Sequence, residues 1–111
     1  SGKMGFSMAT AALQAGAEVT LIAGPVSLEI NKAVNRINVE TAATMHTKVI
    51  ENIDSCDIFI ATAAVSDYRP EFMEAQKIKK DADQLTLSLT KNPDILADVA
   101  GRSSKPFCVG F

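Results

Sequence analysis

The chain has 111 residues, of which 47% are hydrophobic and 22% charged, and its formal net charge is −2. This length suits one domain with a modest core, and no apolar run is long enough to span a membrane. The slightly negative net charge gives no indication of a nucleic-acid-binding surface, so binding of a phosphate ligand would need a local cluster of basic residues. The two cysteines are far apart and no signal peptide is seen, which predicts reduced thiols in a cytoplasmic protein, and the lone histidine, His46, argues against a zinc site.

Helix and strand signals alternate along the first half of the chain. The apolar spacing predicts a helix over Phe6–Ala15, followed by a short buried strand over Val19–Ala23. A second short strand is predicted at 35–40. Thr41 then stands where a hydroxyl can cap a helix over Ala42–Asn52.

The second half begins with the strongest strand signal, "DIFIATAAV" at 57–65, which is apolar on both faces as in a parallel sheet. "QKIKK" and "QLTLSLTK", joined by "DADQ", alternate with period two and predict a hairpin over 76–91. "NPDILADVAG" has the signals of a helix with Asn92 as N-cap, and "PFCVGF" predicts a final buried strand.

This order of elements predicts an α/β layer fold with a mainly parallel sheet. The order also implies missing neighbours at both ends of the chain. A phosphate-type turn at Ser1 normally follows a strand, and a sheet strand ending at Phe111 normally leads into a helix. We therefore interpret 1–111 as part of a larger domain that lacks the first strand and the C-terminal part.

Ligands of open α/β sheets bind at the carboxyl ends of the strands, where three loops are expected here: "SGKMG", "TAAVSDYRP" and "VGF". The first is compatible with a phosphate-binding turn and equally with a plain helix entry, because it lacks a full Gly-rich fingerprint. In the second, Ala63 and Ala64 leave room for a ligand and Asp67 presents a carboxylate. The alternative is that Asp67 caps a turn or pairs with Arg69.

Two further segments carry candidate binding groups. On a strand, Lys77 and Lys79 would share a face and concentrate positive charge for a polyphosphate, although lysines also protect edge strands from aggregation. Around "KNPDIL", the N–H groups of a helix start can hydrogen-bond a base or ribose, although an ordinary capped helix has the same sequence.

The succession "SGKMG", "AGPVSL", "AAVSDYRP", "KIKK", "KNPDIL" and "VGF" spans essentially the whole chain. In its order and spacing it resembles the ligase domain of the bacterial bifunctional phosphopantothenoylcysteine decarboxylase/phosphopantothenate–cysteine ligases. The resemblance implies a Rossmann-like three-layer fold with a mainly parallel sheet and a β-hairpin insertion, truncated at both ends.

The resemblance also implies a CTP-dependent reaction of coenzyme A biosynthesis that requires Mg²⁺. In this family the carboxylate of 4′-phosphopantothenate attacks the α-phosphate of CTP, which gives an acyl-cytidylate and pyrophosphate. The amine of L-cysteine then displaces CMP to form the amide of 4′-phosphopantothenoylcysteine.

Carried over position by position, the resemblance assigns nucleotide recognition to Asp67 and the essential lysine, which neutralises the triphosphate, to Lys77. It does not identify the metal ligands, except that Asp67 is implied to contribute to binding of the metal ion. The other implied contacts are, for the nucleotide, Pro93, Asp94, Ile95, Leu96 and Phe111; for phosphopantothenate, Ala63 and Ala64; and for the Gly-bounded phosphate turn, Ser1, Gly2 and Lys3.

Several features of the family fall outside this chain: an asparagine just upstream of "SGKMG", the opening strand, and a basic and dimerising region downstream of "VGF". The family acts as a homodimer fused to an FMN-dependent decarboxylase, and FMN is not expected on this chain. Two alternatives stay open. One is an NAD(P)-binding short-chain-type reductase, against which the missing G-x-G-x-x-G and Tyr-x-x-x-Lys patterns count. The other is a non-catalytic nucleotide-binding module.

Overall fold

The computed structural model of the chain describes residues 1–74, 76–79 and 83–111. A short 3₁₀ helix, Ile53–Ser55, follows the second α-helix. The other elements in chain order are α1 (Lys3–Gln14), β1 (Thr20–Ala23), β2 (Asn35–Asn38), α2 (Ala42–Asn52), β3 (Ile58–Ala61), β4 (Tyr68–Pro70), β5 (Leu89–Lys91), α3 (Ile95–Ala100) and β6 (Phe107–Gly110).

Two parallel strand pairs form the sheet layer. β1 pairs with β2, with Ile22 opposite Ile37, and β3 pairs with β6, with Phe59 opposite Cys108. Each pair is connected through a long crossover, as parallel pairing requires. The predicted α/β architecture with a mainly parallel sheet is therefore confirmed.

Helices cover both faces of this layer. On one face, the buried side chains of α2 and α3 form the core together with apolar residues of β1, β3 and β6. The members of this core are Val49, Ile53, Ile95 and Val99, packed against Ile22, Met45, Ile50, Cys56, Phe59, Val65 and Cys108. On the opposite face α1 buries Phe6 and Ala9, and the guanidinium of Arg36 from β2 lies 4.9 Å from the centre of the Phe6 ring. Neighbouring residues of a strand point to opposite faces of the sheet. Arg36 points toward α1, so its neighbour Ile37 points toward the opposite face, which α2 and α3 cover.

The inner edges of the two strand pairs are open within the described part of the chain. β1 hydrogen-bonds only β2, and β3 hydrogen-bonds only β6. Both pairs nevertheless share α2, because Ile22 of β1 and Phe59 of β3 pack against the same core. The two pairs thus lie in one layer without a direct ladder between them.

The predicted hairpin between 76–80 and 84–91 is wrong in its pairing. Leu89–Lys91 pairs antiparallel with Tyr68–Pro70, with Tyr68 opposite Lys91, and residues 76–79 belong to no strand. The alternating pattern is compatible with either partner. The observed pairing is accompanied by a side-chain contact across the ladder, in which the Arg69 guanidinium donates 2.7 Å to the carbonyl oxygen of Lys91. Lys80 of "KIKK" and the first two residues of the expected "DADQ" turn, Asp81 and Ala82, lie outside the described residues.

Other predicted boundaries shift by a few residues, since local signals define an element better than its ends. α1 begins at Lys3, three residues before the predicted start, and the strand predicted over 57–65 is ordered as a ladder only over Ile58–Ala61. The N-cap of α3 is Asp94 and not Asn92. The Asp94 carboxylate accepts a 3.0 Å hydrogen bond from the backbone N–H of Ala97.

The predicted bounds of α2 and its cap at Thr41 are confirmed. The Thr41 hydroxyl accepts a 3.1 Å bond from the N–H of Thr44, whose own hydroxyl accepts a 3.1 Å bond from the N–H of Thr41. Thr41→Ala removes this reciprocal pair, and we expect the free energy of unfolding to fall by about 1 kcal/mol.

Urea denaturation followed by circular dichroism measures this loss. Thr47→Ala is the matched control, because Thr47 lies on the exposed side of the same helix and its hydroxyl donates to the carbonyl of Ala43 within that helix. An equal loss in both variants would contradict the capping role of Thr41.

Candidate functional site

The turn that begins α1 has a conformation that requires glycine. Gly2 has φ 76°, and no side chain among residues 1–74, 76–79 and 83–111 accepts a hydrogen bond from the first N–H groups of α1. A methyl group at Gly2 would lie 3.4 Å from Cγ1 of Val26 and 3.6 Å from Cδ1 of Leu28. The Ser1–Lys3 turn is therefore seated against the "AGPVSL" loop that follows β1.

Arg36 holds this loop in place. Its guanidinium donates to the carbonyl oxygens of Leu28 and Val26, the latter at 3.3 Å, and its Nε donates 2.8 Å to Oδ1 of Asn38. Sequence reasoning missed this role. The available signal was a charged residue in the middle of a short strand, "NRIN", where an apolar side chain would be usual.

α1 also approaches the loop after β3. A methyl group on Gly5 would lie 2.6 Å from the hydroxyl oxygen of Thr62, so this glycine permits close packing of the helix on the strand end. Thr62 directly precedes Ala63 and Ala64, both of which are exposed. The structure thus brings the Ser1–Lys3 turn and the two small residues to the same corner of the sheet layer.

Asp67 is joined to the segment before α3 through Asn92. The N–H of Asn92 donates 2.7 Å to the carbonyl oxygen of Asp67, and its Nδ2 donates 2.8 Å to the carbonyl oxygen of Ser66. Arg69 donates 3.1 Å to Oδ1 of Asn92. Within the described residues, the carboxylate of Asp67 forms no hydrogen bond or ion pair, so the predicted alternative of an Asp67–Arg69 pair is wrong.

The segment 93–96 meets the end of β6. Leu96 packs so closely on Gly110 that a Cβ atom there would overlap its Cδ2 atom. The N–H of Phe111 donates 3.1 Å to the carbonyl oxygen of Ala61, and the Phe111 ring is 71% exposed. Leu96, Phe111 and the end of β3 are therefore neighbours.

Lys77 stays a predicted site residue, and no contact among the described residues defines its position relative to this edge. It is exposed and lies outside any strand, so the expected shared strand face with Lys79 is not formed. No hydrogen bond or ion pair among the described residues connects Lys77 to Asp67, to 93–96 or to Phe111.

The whole chain, residues 1–111, matches the family model described as the DNA/pantothenate metabolism flavoprotein C-terminal domain. The chain belongs to this family. Its similarity to solved structures agrees. A crystal structure of the C-terminal domain of coenzyme A biosynthesis bifunctional protein CoaBC aligns with a TM-score of 0.81 and 34% identity over 97% of this chain and 50% of that chain. The predicted Rossmann-like fold is thereby confirmed.

Curated relatives of this domain family are similar over the full length of the chain. The coenzyme A biosynthesis bifunctional protein CoaBC of Vibrio cholerae is 54% identical over 114 residues, and that of Escherichia coli is 48% identical over 115 residues. The Bacillus subtilis protein of the same name is 42% identical over 112 residues. The chain covers 29%, 28% and 28% of these three proteins, which is less than a third of their length.

No helix in the described part of this family domain combines the length and apolar character needed to cross a bilayer. Among residues 1–74, 76–79 and 83–111, there is also no group of three or more His, Cys, Asp or Glu side chains that could hold a metal ion. Nε2 of His46 lies 2.8 Å from the carboxylate of Asp98, which joins α2 to α3 at the surface. Two shallow surface grooves run beside α1 and along 29–36, and neither is lined by Asp67 or by 93–96.

Cys56 is a titratable group whose environment shifts its pKa. It is free and half-buried, and burial raises the pKa of its thiol above the ordinary value of 9.0. A backbone hydrogen bond at Ile58 partly offsets this rise in pKa, whereas the neighbouring Asp57 charge raises it further. The thiol is therefore a poor nucleophile near neutral pH.

We expect iodoacetamide to alkylate Cys56 more slowly in the folded chain than in urea at pH 9, because the folded state contains less thiolate. Cys108→Ala leaves Cys56 as the one reactive thiol for this measurement. The raised pKa also gives the pH dependence of stability. The contribution of Cys56 to the free energy of unfolding is present below pH 9.0 and is lost as the pH rises through the folded-state pKa. Equal alkylation rates in the two states would contradict this expectation.

Proposed function

We propose that this chain is the nucleotide- and substrate-binding part of a phosphopantothenate–cysteine ligase within a longer coenzyme A biosynthesis protein. The observation that carries the proposal is the arrangement at the carboxyl ends of β3 and β6. There Asn92 ties Asp67 to the segment before α3, and Leu96 packs on Gly110 beside Phe111. Family membership and the names of the relatives support the same assignment.

CTP is the nucleotide that we assign to this edge. The Asp67 carboxylate is exposed and forms no hydrogen bond or ion pair within the described residues, so it is available to a ribose hydroxyl, a base or a metal ion. Asp94 caps the N–H of Ala97, which leaves the N–H groups of Ile95 and Leu96 without a side-chain acceptor among the described residues. We propose that this backbone, from Pro93 onwards, selects the pyrimidine by hydrogen bonds.

The second substrate, 4′-phosphopantothenate, is assigned to the neighbouring corner. The left-handed Gly2 lets the Ser1–Lys3 turn direct N–H groups and the Lys3 ammonium toward an anion. The short side chains of Ala63 and Ala64 leave the backbone accessible beside the same corner. Gly5 makes this approach of α1 to Thr62 possible.

The chemistry of the reaction explains the need for positive charge. A carboxylate becomes an acylating agent once its oxygen is part of a good leaving group, and attack on the α-phosphate of CTP provides that group. We propose that the Lys77 ammonium neutralises the triphosphate during this attack. Asp67 is suited to share an Mg²⁺ ion with the triphosphate oxygens, because protein Mg²⁺ sites of this kind use one or two carboxylates and phosphate. The ion would spread the charge that develops on the polyphosphate.

We further propose that the domain continues beyond both ends of this chain. The open edges of β1 and β3 over a shared α2 are suited to one additional parallel strand, which would precede Ser1 and complete the sheet. The full-length protein would be a homodimer in which a separate FMN-dependent decarboxylase domain supplies the other activity. Slower hydrogen exchange at the edge amides of β1 and β3 after N-terminal extension tests the additional strand.

The test of the proposed function is pyrophosphate release by the full-length protein that carries this chain. We expect release to require CTP, Mg²⁺ and 4′-phosphopantothenate together, and addition of L-cysteine to yield CMP and the amide. CTP binding without pyrophosphate release in the presence of phosphopantothenate would favour the non-catalytic module instead. Saturable NADPH binding without CTP binding would favour the reductase.

A further inference from the structure

Asn92 is half-buried and makes three hydrogen bonds that the helix-capping prediction did not foresee. Its N–H and its Nδ2 donate to the carbonyl oxygens of Asp67 and Ser66, at 2.7 and 2.8 Å. Its Oδ1 accepts a 3.1 Å bond from Arg69, whose same nitrogen also donates 2.7 Å to the carbonyl of Lys91. The Asn92 side chain therefore connects the loop after β3 to Arg69 of β4, which in turn bonds the end of β5.

These contacts surround Asp67 without touching its carboxylate. The backbone is held on both sides of the Asp67 Cα atom, at the carbonyl of Ser66 and at the carbonyl of Asp67 itself. The carboxylate remains exposed, and no described residue binds it. A polar group that is fixed at its backbone and left without a protein partner at its tip is suited to meet a ligand, since little ordering is then required on binding.

We infer that Asn92 is the positioning residue for Asp67: its amide fixes the loop so that the carboxylate is held in the direction that the nucleotide requires. This inference rests on the proposed function, in which Asp67 contacts CTP. Because Asn92 acts through Asp67, its removal should weaken nucleotide binding and leave phosphopantothenate at the Gly2 corner unaffected. The same side chain would also set the distance between Asp67 and the backbone of Ile95 and Leu96.

The experiment compares four full-length proteins: wild type, Asn92→Ala, Asn92→Asp and Asn52→Ala. Asn52 is the matched control because it is also half-buried and its Nδ2 donates 2.8 Å to a backbone carbonyl, that of Lys48 in α2. Asn92→Asp keeps the acceptor for Arg69 and loses the donor to Ser66. It therefore separates the two arms of the contact.

For Asn92→Ala we expect the KM for CTP to rise about 10- to 50-fold, a loss typical of removing a side chain that pre-organises a site, with less than a threefold change in the KM for phosphopantothenate. Asn92→Asp should show most of this rise if the Ser66 bond holds the loop. Asn52→Ala should leave both constants within twofold of wild type. A parallel rise in both constants, or an unchanged KM for CTP in Asn92→Ala, would overturn the inference.

Two measurements without turnover separate this inference from the proposed function. Titration calorimetry reports CTP binding directly, and hydrogen–deuterium exchange reports the amides of 66–69 and 92. Unchanged exchange in Asn92→Ala refutes the positioning role even if wild type binds CTP. Absence of CTP binding to wild type refutes the proposed function, and with it the role of Asn92 toward the nucleotide, whatever the exchange result.

Discussion

Replacing Lys77 with glutamine in the full-length protein is expected to lower kcat/KM for pyrophosphate release by about 10²- to 10³-fold, the usual effect of removing one charge-stabilising group from a transition state. The reason is electrostatic. Attack on the α-phosphate redistributes negative charge over a triphosphate that already carries several charges, and a neutral amide stabilises that charge far less than an ammonium does. Single-turnover assays with CTP and phosphopantothenate isolate this first half-reaction from the later attack by cysteine.

Substitution of two further lysines tests whether the loss of activity is specific to Lys77. Lys48→Gln is the matched control, because Lys48 is an exposed lysine of α2 that pairs with Glu51 at 2.7 Å, away from the proposed site. We expect near-normal turnover for this variant. Lys79→Gln, two residues from Lys77, should show a smaller loss than Lys77→Gln. Equal losses for Lys77 and Lys79 would mean that the segment acts as a diffuse positive patch and that no single lysine is essential.

Val99→Asp is expected to unfold the domain. Val99 of α3 is 0% exposed and lies between α2 and the sheet, in contact with the core that contains Val49, Ile53 and Ile95. An unpaired carboxylate at this position would cost several kcal/mol, which is comparable to the whole stability of a small domain. Circular dichroism and the cooperativity of urea denaturation measure the outcome.

The same helix offers the control for this prediction. Ala97 lies two residues earlier in α3 and its side chain is exposed, so Ala97→Asp introduces the same charge into the same helix without burial. We expect Ala97→Asp to change the unfolding free energy by less than about 1 kcal/mol, as is usual for surface substitutions. A cooperative, near-native transition in Val99→Asp would contradict the assignment of Val99 to the centre of the core.

The elements with strong local signals were predictable. Ala42–Asn52 has a helical apolar stripe, a hydroxyl cap before it and polar residues outside it, and the observed helix has these same bounds. Three of the parallel strands, β1, β3 and β6, were recognisable as short apolar runs, which is why the α/β class was correct. In the candidate site, the motif order was enough to indicate the family that the whole-chain match then confirmed.

The wrong predictions concern segments whose local sequence is equally compatible with two different structural roles or pairing partners. "QLTLSLTK" alternates in a way that suits any neighbouring strand. Its observed pairing with Tyr68–Pro70 is accompanied by a contact between Arg69 and Asn92, which are more than twenty residues apart in sequence. Asn92 and Asp94 are both good N-cap residues. In the structure Asp94 is the cap, and the Asn92 amide is engaged by Ser66 and Arg69 instead.

The sequence by itself determined the class of fold, the helix and strand types, and the residues proposed for nucleotide binding, since these depend on short-range periodicity and on residue type. Only the tertiary structure decided which strands pair, that Asp94 caps α3 while Asn92 holds the loop after β3, and that Arg36 seats the "AGPVSL" loop over Gly2. Such choices depend on contacts between distant segments, and a hydrogen-bonding side chain in a loop carries no periodic signal that would reveal its partner in advance.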